Sequence, residues 1–236
     1  MARGRWRRYG LALCAISIAW LGFATTPQAR AASTERVSVD DAGNQGNADS
    51  SDSAVSDDGR FVAYYSAASN LVPGDTNGVD DIFVRDRLTG TTERVSVDAA
   101  GNQGNGDSFG PALSADGRFV SFRSQASNLV PGDTNGASDD FVYDRQTGQI
   151  ERISVDSAGN EANGDSFETW MSDDGRYVAF LSFASNLVSG DTNGVSDIFV
   201  RDRQAGTTER VSVDSSGTEA NGESFYPQIS ADGRFA

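Results

Sequence analysis

The sequence of 236 residues has no histidine, no lysine and a single cysteine. Without histidine there is no Ser-His-Asp triad, no imidazole general base and no histidine metal site. Cys14 lies inside an N-terminal apolar run, so a processed chain would hold no thiol nucleophile and no disulfide. Its stability must come from packing, with bound ions as a further source. Long hydrophobic runs are missing too. The longest, Leu11 to Phe23, has 13 residues, short of the ~20 that a membrane-spanning helix needs. Beyond it no helical periodicity appears. Glycine-rich pieces such as "AGNQGNGDS" lack the following helix and the lysine of a P-loop, so they are not phosphate cradles.

The first 32 residues read as a signal peptide. Arg3, Arg5, Arg7 and Arg8 precede the apolar run, and Ala29-Arg30-Ala31 offers an A-x-A cleavage site. An uncleaved anchor is the alternative. Leu13 stands before Cys14 where a lipoprotein signal wants a small residue. The Arg7-Arg8 pair is compatible with twin-arginine export as well as the general route. The expectation is an exported protein, secreted, periplasmic or at the cell surface, with no stable membrane insertion after cleavage. The chain has 19 basic and 34 acidic residues, and five of its arginines lie in that segment with no acid among them. The remainder is therefore strongly acidic, which argues against nucleic acid as a partner. It suits a soluble exported surface, or cation binding.

A period of 58 organises everything that follows. Arg36, Arg94, Arg152 and Arg210 open four copies of "R-[VI]-S-V-D" at that spacing. "SDDGRFVAYYS" from Ser56 returns as "SADGRFVSFRS", "SDDGRYVAFLS" and "SADGRFA". Three units result, at about 46–98, 104–156 and 162–214, with a partial one at 220–236, together a repeat domain over 33–236. In the second unit, strand-like stretches cover 107–114, 118–124, 139–145 and 149–155. An Asp116-Gly117 turn joins the first two. Strand two is apolar on both faces: Phe61, Ala63 and Tyr65 point one way, Val62 and Tyr64 the other. That is the pattern of a strand buried between layers. Strand four alternates, with Val95 and Val97 inward and Arg94, Ser96 and Asp98 outward. The expected fold is all-β, a β-propeller of four-stranded antiparallel blades, three complete and others partial. A β-solenoid is the competing architecture.

The run "S-[AD]-D-G-R-[FY]-V-[AS]-[FY]", followed by "D-I-F-V-R-D-R-Q-x-G-T-T-E-R-V-S", resembles the WD40-like PD40 repeat of TolB-type propellers over residues 34–236. The resemblance implies a propeller used for binding. Two features depart from it: the family's Ser-Pro-Asp-Gly is Ser56-Asp57-Asp58-Gly59 here, and the loop holding "NLVPGDTNG" is expanded. The repeat opens on a strand-four segment and closes inside a strand two, so the chain reads as part of a larger ring, since propellers have about 4–8 blades. The expected role is a binding or scaffold module for a protein, a carbohydrate or a small ligand in the envelope or outside it. The alternative is an accessory propeller of a larger secreted hydrolase or peptidase whose catalytic domain lies outside this chain. Catalysis within these residues is not expected. Carboxylates suited to a glycosidase-type pair are plentiful, but they recur at matching repeat positions, as turn chemistry does.

Two sets of residues are candidate sites. The first is D-x-N-G-x-x-D: Asp75, Asn77 and Asp81, then Asp133, Asn135 and Asp139, then Asp191, Asn193 and Asp197. Calcium takes about six to eight oxygens, and each loop offers two aspartates, an amide and backbone carbonyls. An EF-hand wants glycine sixth and glutamate twelfth; from Asp75 those places hold Asp80 and Asp86. The loop is thus either a shorter calcium site or a plain turn, with Asn77-Gly78 supplying positive φ. The second set lies where the copies disagree, in strand one: "DSA" at 52–54, "GPA" at 110–112, "ETW" at 168–170 and "YPQ" at 226–228. First strands line a propeller's channel, which makes Glu168, Trp170 and Tyr226 candidates for ligand contact. For Trp170 the alternative is packing between blades.

Overall fold

A computed structural model describes residues 34–236. The predicted signal peptide and Cys14 lie outside the described residues. Twelve strands form three antiparallel sheets of four, each in sequence order. Blade one holds β1 (Ser50–Val55), β2 (Phe61–Ser66), β3 (Asp81–Asp86) and β4 (Thr91–Arg94). Blade two holds β5 (Ser108–Leu113), β6 (Phe119–Ser124), β7 (Asp139–Asp144) and β8 (Gln149–Arg152). Blade three holds β9 (Ser166–Met171), β10 (Tyr177–Ser182), β11 (Asp197–Asp202) and β12 (Thr207–Arg210). The first strands stand side by side, β1 next to β5 and β5 next to β9. The sheets therefore succeed one another as the blades of a propeller, and the solenoid is ruled out. Residues 224–236 begin another repeat and pair by no ladder.

Each Ser-x-Asp-Gly-Arg turn is closed by its own side chains. Asp58 Oδ1 accepts from Arg60 N–H at 2.9 Å and from the Ser56 hydroxyl at 2.7 Å. Ser56 Oγ in turn accepts from Phe61 N–H at 2.9 Å. Ser114, Ser172 and Ser230 repeat this arrangement. The second strands are buried on both faces, as their double apolar pattern predicts. Ala63, Ile82 and Val84 pack with Val120 and Phe122 of the next blade. On the opposite face, Tyr64 and Phe83 pack with Leu71 and Val37. Phe180, Phe199 and Val178 form the corresponding cluster with Val142 and Ile153.

Strand four corrects the sequence reading. It ends at Arg94, Arg152 and Arg210, three residues sooner than the 149–155 expected for the second copy. Arg94 and Ser96 face inward, not out. Ser96 is wholly buried; its hydroxyl donates to Asp81 Oδ1 at 2.5 Å and accepts from Ile82 N–H at 3.1 Å. A buried carboxylate needs hydrogen-bond donors, and Asp81 takes them from strand four at the expense of the ladder. Val95 and Val97 are buried as expected.

After strand four the chain crosses to the following blade. Thr92 Oγ1 donates to Val39 O at 2.6 Å, and Thr208 Oγ1 to Val155 O at 2.6 Å. At the turns between first and second strands, backbone bonds run from copy to copy: Asp57 N–H to Ala115 O, Ala115 N–H to Asp173 O, and Asp173 N–H to Ala231 O, at 2.9–3.0 Å. Nearby, an aromatic ring of blade one and one of blade two are each clasped by two arginines, while Tyr177 of blade three has Arg176 alone among the described residues. Phe61 lies 4.6 Å from Arg60 and 4.1 Å from Arg145 of the next blade. Phe119 lies 4.6 Å from Arg118 and 4.4 Å from Arg203. Arg118 also grips Asp144 through two nitrogens, at 2.9 and 2.6 Å. That pairing holds the Asp144 carboxyl down at about 2, and Arg176 does the same for Asp202.

Candidate functional site

The D-x-N-G-x-x-D loops link strands two and three. Their two aspartates converge on the arginine that ends strand four of the same blade. Arg94 Nη1 lies 3.2 Å from Asp75 Oδ1 and 3.3 Å from Asp81 Oδ2. Arg152 reaches Asp133, Asp139 and Glu161 at 3.4, 3.0 and 3.0 Å. Arg210 reaches Asp191, Asp197 and Glu219 at 3.4, 3.5 and 2.8 Å. Burial, then the second aspartate, pushes the carboxyls of Asp75, Asp133 and Asp191 up; the arginine opposes both. The sequence brought the acids together correctly but missed this guanidinium, although Arg94, Arg152 and Arg210 keep the same 58-residue register.

The asparagines turn their amide nitrogens to the cluster. Asn77 Nδ2 donates to Asp81 Oδ2 at 2.8 Å and to Gly104 O at 3.0 Å, fastening the loop to the next connection. Asn135 and Asn193 repeat both bonds. Gly78 has φ of 71°, the positive value expected after asparagine. Among the described residues, Asp191, Asp197 and Glu219 form an acidic triad whose oxygens lie within 4.8 Å of one another. Arg210 is bonded to all three.

The inner strands show a feature that no composition could reveal. Asp52, Gly110, Glu168 and Tyr226 occupy one position of the repeat, and all four have positive φ, at 40°, 59°, 56° and 55°. In the three blades, the pairing with strand two slips at this point. For a residue with a side chain this conformation costs about 1–2 kcal/mol. Glu168 and Tyr226 are thus equivalent, and they touch: Tyr226 N–H donates to Glu168 Oε2 at 3.1 Å. Trp170 follows in regular pairing with Ala179. Trp170 is 50% exposed and Tyr226 80% exposed.

On its second and third strands blade two carries two charges that the other blades lack at the equivalent positions. Arg123 replaces the Tyr65 of blade one and the Leu181 of blade three, and Asp140 replaces Ile82 and Ile198. Thr169 Oγ1 donates to Ser121 Oγ at 2.8 Å between β9 and β6. The copies disagree at positions 123 and 140 in the sequence itself, a weaker signal than the variation of strand one.

No family model matches the chain, and no curated protein matches it. Solved structures with similar form include TolB from Acinetobacter baumannii, at 23% identity and TM-score 0.47, covering 79% of this chain and 36% of that one. Putative TolB from Agrobacterium tumefaciens is 20% identical with TM-score 0.45, covering 69% of this chain and 48% of its own. The β-propeller domain of the Trilobed protease from Pyrococcus furiosus is 18% identical with TM-score 0.45, covering 69% and 42%. The chain spans less than half the length of each of these three. The likeness is one of blade architecture, a repeated four-stranded antiparallel sheet, which the described residues carry in their own right.

Proposed function

We propose that the chain is an exported binding module, without catalysis of its own, whose ligand lies against the inner strands. The observation that carries this reading is the strained position shared by Asp52, Gly110, Glu168 and Tyr226. Backbone strain persists where surrounding structure enforces it, and such sites cluster at ligand contacts. The scaffold around that position repeats closely, while its side chains differ and face solvent. Trp170 and Tyr226 add aromatic area of the kind that dominates recognition surfaces. A protein segment, a carbohydrate or a small apolar molecule could use that area. Among the described residues no helix is long and apolar enough to cross a membrane.

The test is selection of peptides from a random library on the immobilised full chain. The reading expects selected peptides to lose binding to Trp170→Ala and to Tyr226→Ala while both variants keep the wild-type melting temperature. Peptides that bind Trp170→Ala normally, with a lowered melting temperature in that variant, would show Trp170 to be packing and sink the reading.

A further inference from the structure

Arg123 and Asp140 stand directly opposite each other across β6 and β7. Asp140 is wholly buried, yet neither carboxylate oxygen has a hydrogen-bond partner. Burial first, then Asp139 and Glu168, push its carboxyl well up against the pull of Arg123, which favours its neutral form. Arg123 turns instead between two rings, 5.0 Å from the Phe109 centroid and 4.9 Å from that of Phe167. Its Nε is buried without a partner, while the residue as a whole is half-buried. Among the described arginines, Arg123 and Arg234 alone make no hydrogen bond or ion pair through the guanidinium, and Arg234 is exposed.

A half-buried arginine set against two phenylalanine rings presents its donors in a planar fork. Such a fork matches a carboxylate through two parallel bonds, and low surrounding polarity strengthens them. There is open space beside one of these rings. Phe109 immediately precedes Gly110, the one copy with no side chain at the strained position, and a Cβ there would meet nothing within 4 Å. Blades one and three fill the positions of Arg123 and Asp140 with apolar residues, so the fold does not require the charges.

We propose that Arg123 anchors a carboxylate of the ligand at the inner strands, an α-carboxylate or an acidic side chain whose apolar neighbour rests on Phe109 and Phe167. This rests on the inner-strand binding reading above. The probes are N-acetylphenylalanine, which carries an α-carboxylate, and N-acetylglutamate α-methylamide, which carries only the side-chain one; N-acetylphenylalanine amide is the uncharged control. Each is titrated to millimolar concentration into the full chain while the arginine Nε–Hε signals are followed by NMR. The expected result is a saturable shift of the Arg123 signal with at least one carboxylate, none with the amide, and loss of binding in Arg123→Gln. The responding arm identifies the source of the carboxylate. Absence of any shift with both carboxylates, or an equal shift with the amide, overturns the proposal on wild-type protein alone, however the variant folds. Library peptides that bind wild type and Arg123→Gln alike overturn the anchor and leave the inner-strand reading standing. Probe shifts at Arg123, with no selected peptide dependent on Trp170 or Tyr226, keep the anchor and sink that reading.

Discussion

At Gly175 the Asp-Gly turn meets the preceding blade. The residue has φ of 68°, and a Cβ there would overlap the Phe119 ring at Cδ2 and Cγ. Gly190 has φ of 79° with nothing within 4 Å of a Cβ, so it shares the conformational demand without the contact. Alanine at Gly190 should therefore lose about 1 kcal/mol, the left-handed penalty. Alanine at Gly175 should lose that and about 1–3 kcal/mol more from forcing an extra methyl into a packed contact. Urea unfolding of both variants measures the difference, and equal losses would mean that the ring gives way freely. The turn was legible in the sequence because Asp-Gly is a local signal. Its second role was not, because Phe119 and Gly175 lie nearly a full repeat apart and nothing local couples them.

Strand four and the loop before strand three form one unit through buried charge. Alternation assigns Arg94, Arg152 and Arg210 to solvent, because a period of two knows only apolar and polar. The buried aspartate on strand three reverses that assignment: Asp197 is wholly buried and takes Ser212 Oγ at 2.5 Å as well as Arg210. The loop's acids and asparagine were legible; their countercharge was not, since it comes from another strand. This arrangement sets an expectation for calcium. The guanidinium already supplies the positive charge where Asp191, Asp197 and Glu219 meet, so millimolar calcium should leave the wild-type melting temperature unchanged. Arg210→Gln removes one partner of a buried cluster, a change that costs about 3–5 kcal/mol when the remaining charge is left unpaired. Calcium should restore part of that loss, and a chelator should abolish the rescue. A calcium-dependent rise in wild-type melting temperature, reversed by chelator, would instead make the loop a calcium site.

Across the whole molecule, stability comes from contacts between neighbouring repeats, and the architecture was legible because those contacts keep one period. Which copies depart from it was less so. Arg85 and Thr92 hold the incoming connection of blade one, and Arg201 and Thr208 that of blade three, while blade two has Tyr143 and Ile150 there. Repeat proteins behave as chains of units coupled through nearest-neighbour interfaces. One contact that couples blades two and three lies at Phe119, where Arg203 lies on the ring and bonds Glu151 at 2.7 Å. Removing that ring should weaken the interface more than either blade. Phe119 is half-buried, so Phe119→Ala should cost about 2–3 kcal/mol, somewhat less than for a fully buried ring. In calorimetry the wild type should melt in one cooperative step. The variant should show a broadened transition whose calorimetric enthalpy exceeds the van 't Hoff value, the mark of partly independent units. Amide exchange should quicken in β9 to β12 and stay unchanged in β1 to β4. A transition that moves to lower temperature but keeps its sharpness, with exchange rising equally in all three blades, would show that the blades unfold as one body whatever holds this interface.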